Sequence, residues 1–104
     1  MRLGICLSNI KTPLDDRINW QNTGHGCYLF EATGRVLSHS DATVNDKSKS
    51  FWYSKGDTVE MSYDPARGKL RASKGSEQYE LSVPAGDYRI CVVLFWEGDS
   101  VTVE

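Results

Sequence analysis

The chain has 104 residues, enough for one domain and too few for two, and its 39% hydrophobic content suffices for a packed core without covalent staples. A formal net charge of −2, with Lys and Arg scattered singly, offers no basic stripe for a phosphate backbone, so nucleic acid is not expected as a partner. The apolar stretch at the amino terminus is too short for a signal peptide and no later run approaches the about 20 residues of a membrane span; this reads as a soluble, unexported protein of the cytoplasm or nucleus with no membrane partner.

In chain order, residues 2–8 carry Leu3, Ile5 and Leu7 in the period-two alternation of a strand. A long polar connection, 9–24, follows. Residues 26–31 set Cys27 and Leu29 against Tyr28 and Phe30, and 35–39 is their expected hairpin partner across Ala32-Thr33-Gly34. A second polar connection, 40–50, leads to Phe51-Trp52-Tyr53, of which alternation sends one or two side chains inward, Trp52 among them. Connections of this length in a compact domain are often functional.

The regular part begins at 57–64, where Val59, Met61 and Tyr63 face one way and Thr58, Glu60 and Ser62 the other. Asp64-Pro65-Ala66-Arg67-Gly68 reverses the chain, Pro65 presetting the first corner and Gly68 supplying a left-handed residue. Leu70 and Ala72 point inward from 69–74, Gly75-Ser76 turns the chain again, and 77–83 returns with Tyr79, Leu81 and Val83 inward. After Pro84-Ala85-Gly86-Asp87 comes 88–95, where Ile90, Cys91, Val92, Val93 and Leu94 are apolar on both faces, which predicts a central strand covered on each side; a helix would need a longer and less β-branched run. Glu97-Gly98 then turns into 100–103, with Val101 and Val103 inward. Eight or nine short strands with meander turns predict an all-β domain, an antiparallel two-sheet β-sandwich, with a closed barrel as the alternative.

These segments resemble the SPRY family. The run Gly56-Asp57-Thr58-Val59-Glu60-Met61-Ser62-Tyr63-Asp64, then Gly68-Lys69-Leu70-Arg71-Ala72-Ser73-Lys74-Gly75, is similar to that family's Gly-Asp-led strand, acidic turn and glycine hairpin. Tyr88-Arg89-Ile90-Cys91-Val92-Val93-Leu94 with Gly98-Asp99-Ser100-Val101-Thr102-Val103 looks like its closing strands, and Arg2-Leu3-Gly4-Ile5-Cys6 like its Arg-x-Gly-(Ile/Val) strand. Two departures stand out. The strands that usually precede the Arg-x-Gly segment are missing ahead of Arg2, and Lys74-Gly75-Ser76 replaces the usual Asn-Gly hairpin. The resemblance implies a concanavalin-like jelly-roll sandwich lacking its first strands. It would be a non-catalytic module of a larger scaffold or ubiquitin-ligase adaptor that binds a protein or short peptide through surface loops. An uncovered first edge would also permit self-association.

Candidate sites follow from residue types. The three cysteines, Cys6, Cys27 and Cys91, are odd in number, sit among strand-forming neighbours and make no CxxC or Cys-His spacing, so they read as reduced core thiols. No nucleophile elbow, phosphate loop or zinc-type cluster is present, so neither an enzyme nor a cofactor or metal protein is expected. His25, between Gly24 and Gly26, reads as fixing a turn; His39-Ser40-Asp41 can be read as a ligand or relay, and Asp15-Asp16 with Asp41 or Asp46 as a calcium site, but solvated loop residues are the simpler reading of both. Trp20 is nearly the sole large apolar residue of its loop and serves either as an interface anchor or as a plug at one end of the core. Trp96 sits at a turn and is expected on the rim. Arg17, Trp20, Gln21, Asn22, Asp41 and Trp96 are therefore the expected partner-binding residues, with Lys11, Asp15, Asn45 and Lys47 extending a polar rim. A carbohydrate-binding sandwich that presents exposed tryptophans to sugars is the alternative function, and a purely structural assembly domain a third.

Overall fold

The computed structural model describes residues 1–9, 20–54 and 56–93. Among them are eight strands and no helix, hence none long and apolar enough to cross a membrane. The strands are β1 Arg2–Leu7, β2 Cys27–Glu31, β3 Thr33–Ser38, β4 Lys47–Trp52, β5 Glu60–Asp64, β6 Lys69–Lys74, β7 Glu77–Ser82 and β8 Tyr88–Val93. They form two antiparallel sheets, one of five strands in the order β4-β3-β2-β1-β8 and one of three in the order β5-β6-β7.

The three-stranded sheet is a meander built by local turn chemistry. Asp64 Oδ1 accepts the backbone N–H groups of Ala66 and Arg67, and Gly68 (φ 64°) and Gly75 (φ 61°) take the left-handed conformation that each reversal requires. The register pairs Met61 with Ala72 and Ala72 with Tyr79, so apolar residues of all three strands share one face. That face meets the five-stranded sheet in one hydrophobic cluster: Leu70, Ala72, Leu81 and Val83 on one side, Tyr28, Phe30, Val36 and Phe51 on the other. Tyr53 closes it, its hydroxyl donating to the Phe30 carbonyl at 2.5 Å.

A smaller cluster occupies the opposite face of the five-stranded sheet, where Cys6, Cys27, Leu29, Leu37 and Cys91 are buried and Trp20 packs against them. All three cysteines are free thiols. Gly4 of β1 lies between these layers, and a Cβ there would fall on the Tyr28 carbonyl, so strand spacing itself demands glycine in the Arg-x-Gly segment.

Four expectations are corrected. β8 is not covered on both faces: Ile90 and Val92 are 68% and 36% exposed, and among the described residues the strand pairs with β1 alone. They stand opposite Ile5 and Leu3 on the inner face, but the core cluster draws from β1 and not from them. Trp52 is not in the core; Phe51 and Tyr53 are buried on either side of it, and its indole is 69% exposed. Part of the connection 40–50 is strand β4, whose Lys-Ser-Lys-Ser start carries no apolar signal because this edge strand is held by backbone pairing to β3. Asn45, expected on the rim, is only 4% exposed. The expected strand at 100–103 lies outside the described residues.

Candidate functional site

β1 ends, β2 begins, β3 ends and β8 begins at one end of the five-stranded sheet. Here the described part of the first connection, 20–26, meets the second, 38–46. Gly24 N–H donates to the His39 carbonyl at 2.8 Å, and Leu7 N–H to the Gly26 carbonyl at 2.9 Å.

The 41–46 turn is shaped from within. Asp41 Oδ1 accepts the Thr43 N–H at 3.0 Å and its hydroxyl at 2.5 Å, and the Asp41 carbonyl accepts Asn45 N–H at 3.0 Å. The Thr43 hydroxyl and then its backbone N–H hold the Asp41 carboxyl below its ordinary range. Asp46 is left-handed (φ 61°), a conformation that aspartate tolerates, and its carboxylate pairs with Arg35 at 2.9 Å.

This turn delivers Asn45 to the middle of the junction. Its Oδ1 lies 2.8 Å from the Ser38 N–H and 3.1 Å from His25 Nε2, while its Nδ2 donates to the carbonyls of Trp20 at 3.0 Å and Gln21 at 3.2 Å. Both ends of one buried amide are thereby satisfied by groups from the other connection and from strand β3. Ser38 contributes further: buried, its Oγ accepts from Asp41 N–H at 3.0 Å and Ser40 N–H at 3.3 Å. The Tyr28 hydroxyl and Ser40 Oγ are 2.9 Å apart.

The two histidines complete the arrangement. Gly24 (φ 94°) and Gly26 (φ 87°) flank His25 with left-handed backbone that few side-chain-bearing residues adopt. The imidazole is thereby turned back on its own chain, and Nδ1 accepts the Cys27 N–H at 3.2 Å. His39 Nδ1 accepts the Gly26 N–H at 2.7 Å. Trp20 lies 5.0 Å from the His25 ring, with the Arg2 guanidinium 4.9 Å from the indole centroid.

Of the expected partner-binding residues, Trp20, Gln21, Asn22 and Asp41 belong to this one surface. Gln21 and Asn22 are exposed, Asp41 is half-buried, and Trp20 is half-buried with its ring against the thiol cluster, as a plug on the outer face of the sheet would be. Arg17 and Trp96 lie outside the described residues, as do Lys11, Asp15 and Asp16. His25 fixes its turn as expected. The role of Asn45 and the acceptor role of His39 escaped sequence reasoning; the one available signal was two histidines and an asparagine in connections on either side of a hairpin. Among the described residues no group of three or more His, Cys, Asp or Glu is placed to hold a metal ion.

A second surface adjoins β4. Exposed Trp52 borders a shallow depression of about 390 Å³, lined by Arg2, Glu31, Thr33, Arg35, Asp46 and Ser48. Its charges are mutually paired: Arg2 Nε to Glu31 Oε2 at 2.9 Å, Arg35 to Asp46, and Thr33 Oγ1 donating to Glu31 Oε1 at 2.8 Å.

Comparison of the chain with protein-family models, curated proteins and solved structures finds no match.

Proposed function

We propose that the chain is a non-catalytic recognition module, an antiparallel β-sandwich of the SPRY type, that docks a protein or short peptide on the surface formed by 20–26 and 38–46. The supporting observation is the Asn45 amide, which cross-ties the two connections through three hydrogen bonds and anchors to β3 through a fourth. Loops tied to a sheet before binding lose little conformational entropy when a partner arrives, the condition under which a polar surface binds with useful affinity. The family part of the reading rests on the four resembling segments, and the two antiparallel sheets are compatible with it.

The test is selection of a displayed peptide library on the immobilised protein, followed by affinity measurement on Gln21→Ala, Asn22→Ala and Asp41→Ala. Selected peptides should lose about 1–2 kcal/mol of binding in at least one of these variants with the unfolding midpoint unchanged. Failure to enrich any peptide, or equal binding by all variants, overturns the reading.

The Trp52 surface favours a second reading, carbohydrate binding. An exposed indole beside carboxylate and guanidinium groups that neutralise one another suits a neutral, hydroxyl-rich ring, which stacks on the indole and exchanges hydrogen bonds with the paired charges. A glycan array with signal abolished by Trp52→Ala and competed by free sugar would support it; an empty array would remove it.

A further inference from the structure

At the junction both histidines accept hydrogen bonds at Nδ1. The Gly26 N–H reaches His39 at 2.7 Å and the Cys27 N–H reaches His25 at 3.2 Å. A ring nitrogen that accepts from an N–H carries no proton, so this geometry holds only while both imidazoles are neutral. For His25 the tautomer follows as well. Its remaining proton sits on Nε2 and donates to Asn45 Oδ1, an oxygen whose identity is set because the amide's other end donates to the Trp20 and Gln21 carbonyls. A proton added to either Nδ1 would meet a backbone N–H head-on.

The surroundings give such a proton little support. The His25 and His39 ring centroids are 6.4 Å apart, so charging one opposes charging the other. From β1, the Arg2 guanidinium lies over the Trp20 ring that contacts His25. From β2 come the Cys27 thiol and the neutral Tyr28 ring, the latter 6.1 Å from His39. The 38–46 side supplies uncharged Asn45 and the Asp41 carboxylate, which is engaged by Thr43. Among the described residues no carboxylate forms an ion pair with either ring. Burial lowers the pKa of both histidines, Arg2 adding to the effect on His25 and His25 adding to that on His39, with only the Asn45 hydrogen bond acting in the other direction. A base whose pKa is lower folded than unfolded contributes stability that is complete above the ordinary histidine range and is lost as pH falls through the folded value.

We propose that His25 and His39 form an acid-operated latch: protonating either ring breaks its backbone hydrogen bond, and segment 20–24 then separates from the 40–46 turn while the two sheets stay folded. The latch belongs to the molecule itself. Its consequence for docking, release of the partner on mild acidification, rests on the reading given under Proposed function.

The latch is tested without any partner by amide hydrogen exchange at pH 7.5 and pH 5, corrected for intrinsic exchange. Protection of the Gly26, Cys27 and Ser38 amides should fall at least about tenfold relative to those of Leu70 and Ala72 at the lower pH. In His25→Asn/His39→Asn the side-chain oxygen takes the place of Nδ1 and does not titrate, so protection should persist at pH 5. Equal loss in wild type and double variant, or no loss in wild type, overturns the latch. Should the double variant fail to fold, nitrogen-detected NMR titration of the wild-type imidazoles decides. Both rings must titrate below the ordinary histidine value, with His25 protonated at Nε2 when neutral, and a ring titrating at or above that value refutes the proposal. A selected peptide supplies the separate arm. If the junction opens at pH 5 and the peptide binds as before, the latch stands and the docking surface is misplaced.

Discussion

The five-stranded sheet is covered in different ways on its two faces. On the inner face Tyr28, Phe30 and Val36 meet Leu70, Leu81 and Val83, so apolar side chains are buried strand against strand. On the outer face Cys6, Cys27, Leu29, Leu37 and Cys91 are packed against by Trp20, whose segment is held to the domain by hydrogen bonds through Asn45. Burial between sheets scales with area and is lost only when the domain unfolds. A cover held by a few polar contacts can open by itself, at a fraction of the global free energy. The same sheet therefore joins a structural face to one suited to recognition and control.

The comparison is broken most severely from the inside. Phe30→Ala removes a fully buried ring from the inter-sheet cluster and should destabilise the domain by about 3–5 kcal/mol, read as a shift in the urea midpoint. A change below about 1 kcal/mol would mean that the inner face is not the main core.

Asn45→Ala comes next. It strips the Ser38 N–H and the Trp20 and Gln21 carbonyls of their partner, and an expected cost of about 2–3 kcal/mol should appear as exchange at the junction while the β5–β7 amides stay protected. Uniform loss of protection across both sheets would show that the two faces form one cooperative unit.

Trp20→Ala uncovers the thiols at about 1–2 kcal/mol, less than a fully buried tryptophan would cost. The Cys91 thiol is pushed up, first by its hydrogen bond to Cys27 and then by burial, and Cys6 chiefly by burial, so neither ionises readily in the native protein. Labelling by a disulfide reagent should accordingly be slow in wild type and at least about tenfold faster in the variant at unchanged pH. Equal rates would place the cover elsewhere. The smallest effect belongs to Arg67→Ala: its 3.4 Å contact with Glu80 is largely exposed and should be worth less than about 0.5 kcal/mol by thermal melting.

How much of this could be read in advance divides along the same line. The β5–β7 meander was legible almost residue by residue, with β6 falling on 69–74 as expected, because its register depends on turns of a few residues and an alternation of period two. β4 was hidden because Lys47, Ser48 and Lys49 carry no hydrophobic signal, and an edge strand needs none on its exposed side. β8 misled for the opposite reason. A run that is apolar on both faces marks a doubly covered strand only when other layers pack over it, and here Ile90 and Val92 stand exposed. Of the candidate site, Trp20, Gln21, Asn22 and Asp41 could be proposed from residue type, whereas the bonding that unites them could not.

The sequence by itself determined the strand character of β5, β6 and β7, the tight reversals at Gly68 and Gly75, and which residues of those strands turn inward, since each follows from backbone sterics and near-neighbour alternation. Only the tertiary structure decided that β1 lies between β2 and β8, that Trp52 faces solvent between two buried aromatics, and that Asn45 lies within reach of His25, Trp20 and Ser38. Those outcomes depend on contacts between residues as far as 91 positions apart in the chain, Arg2 and Val93 among them, and a pattern with a reach of two or four residues carries no record of them.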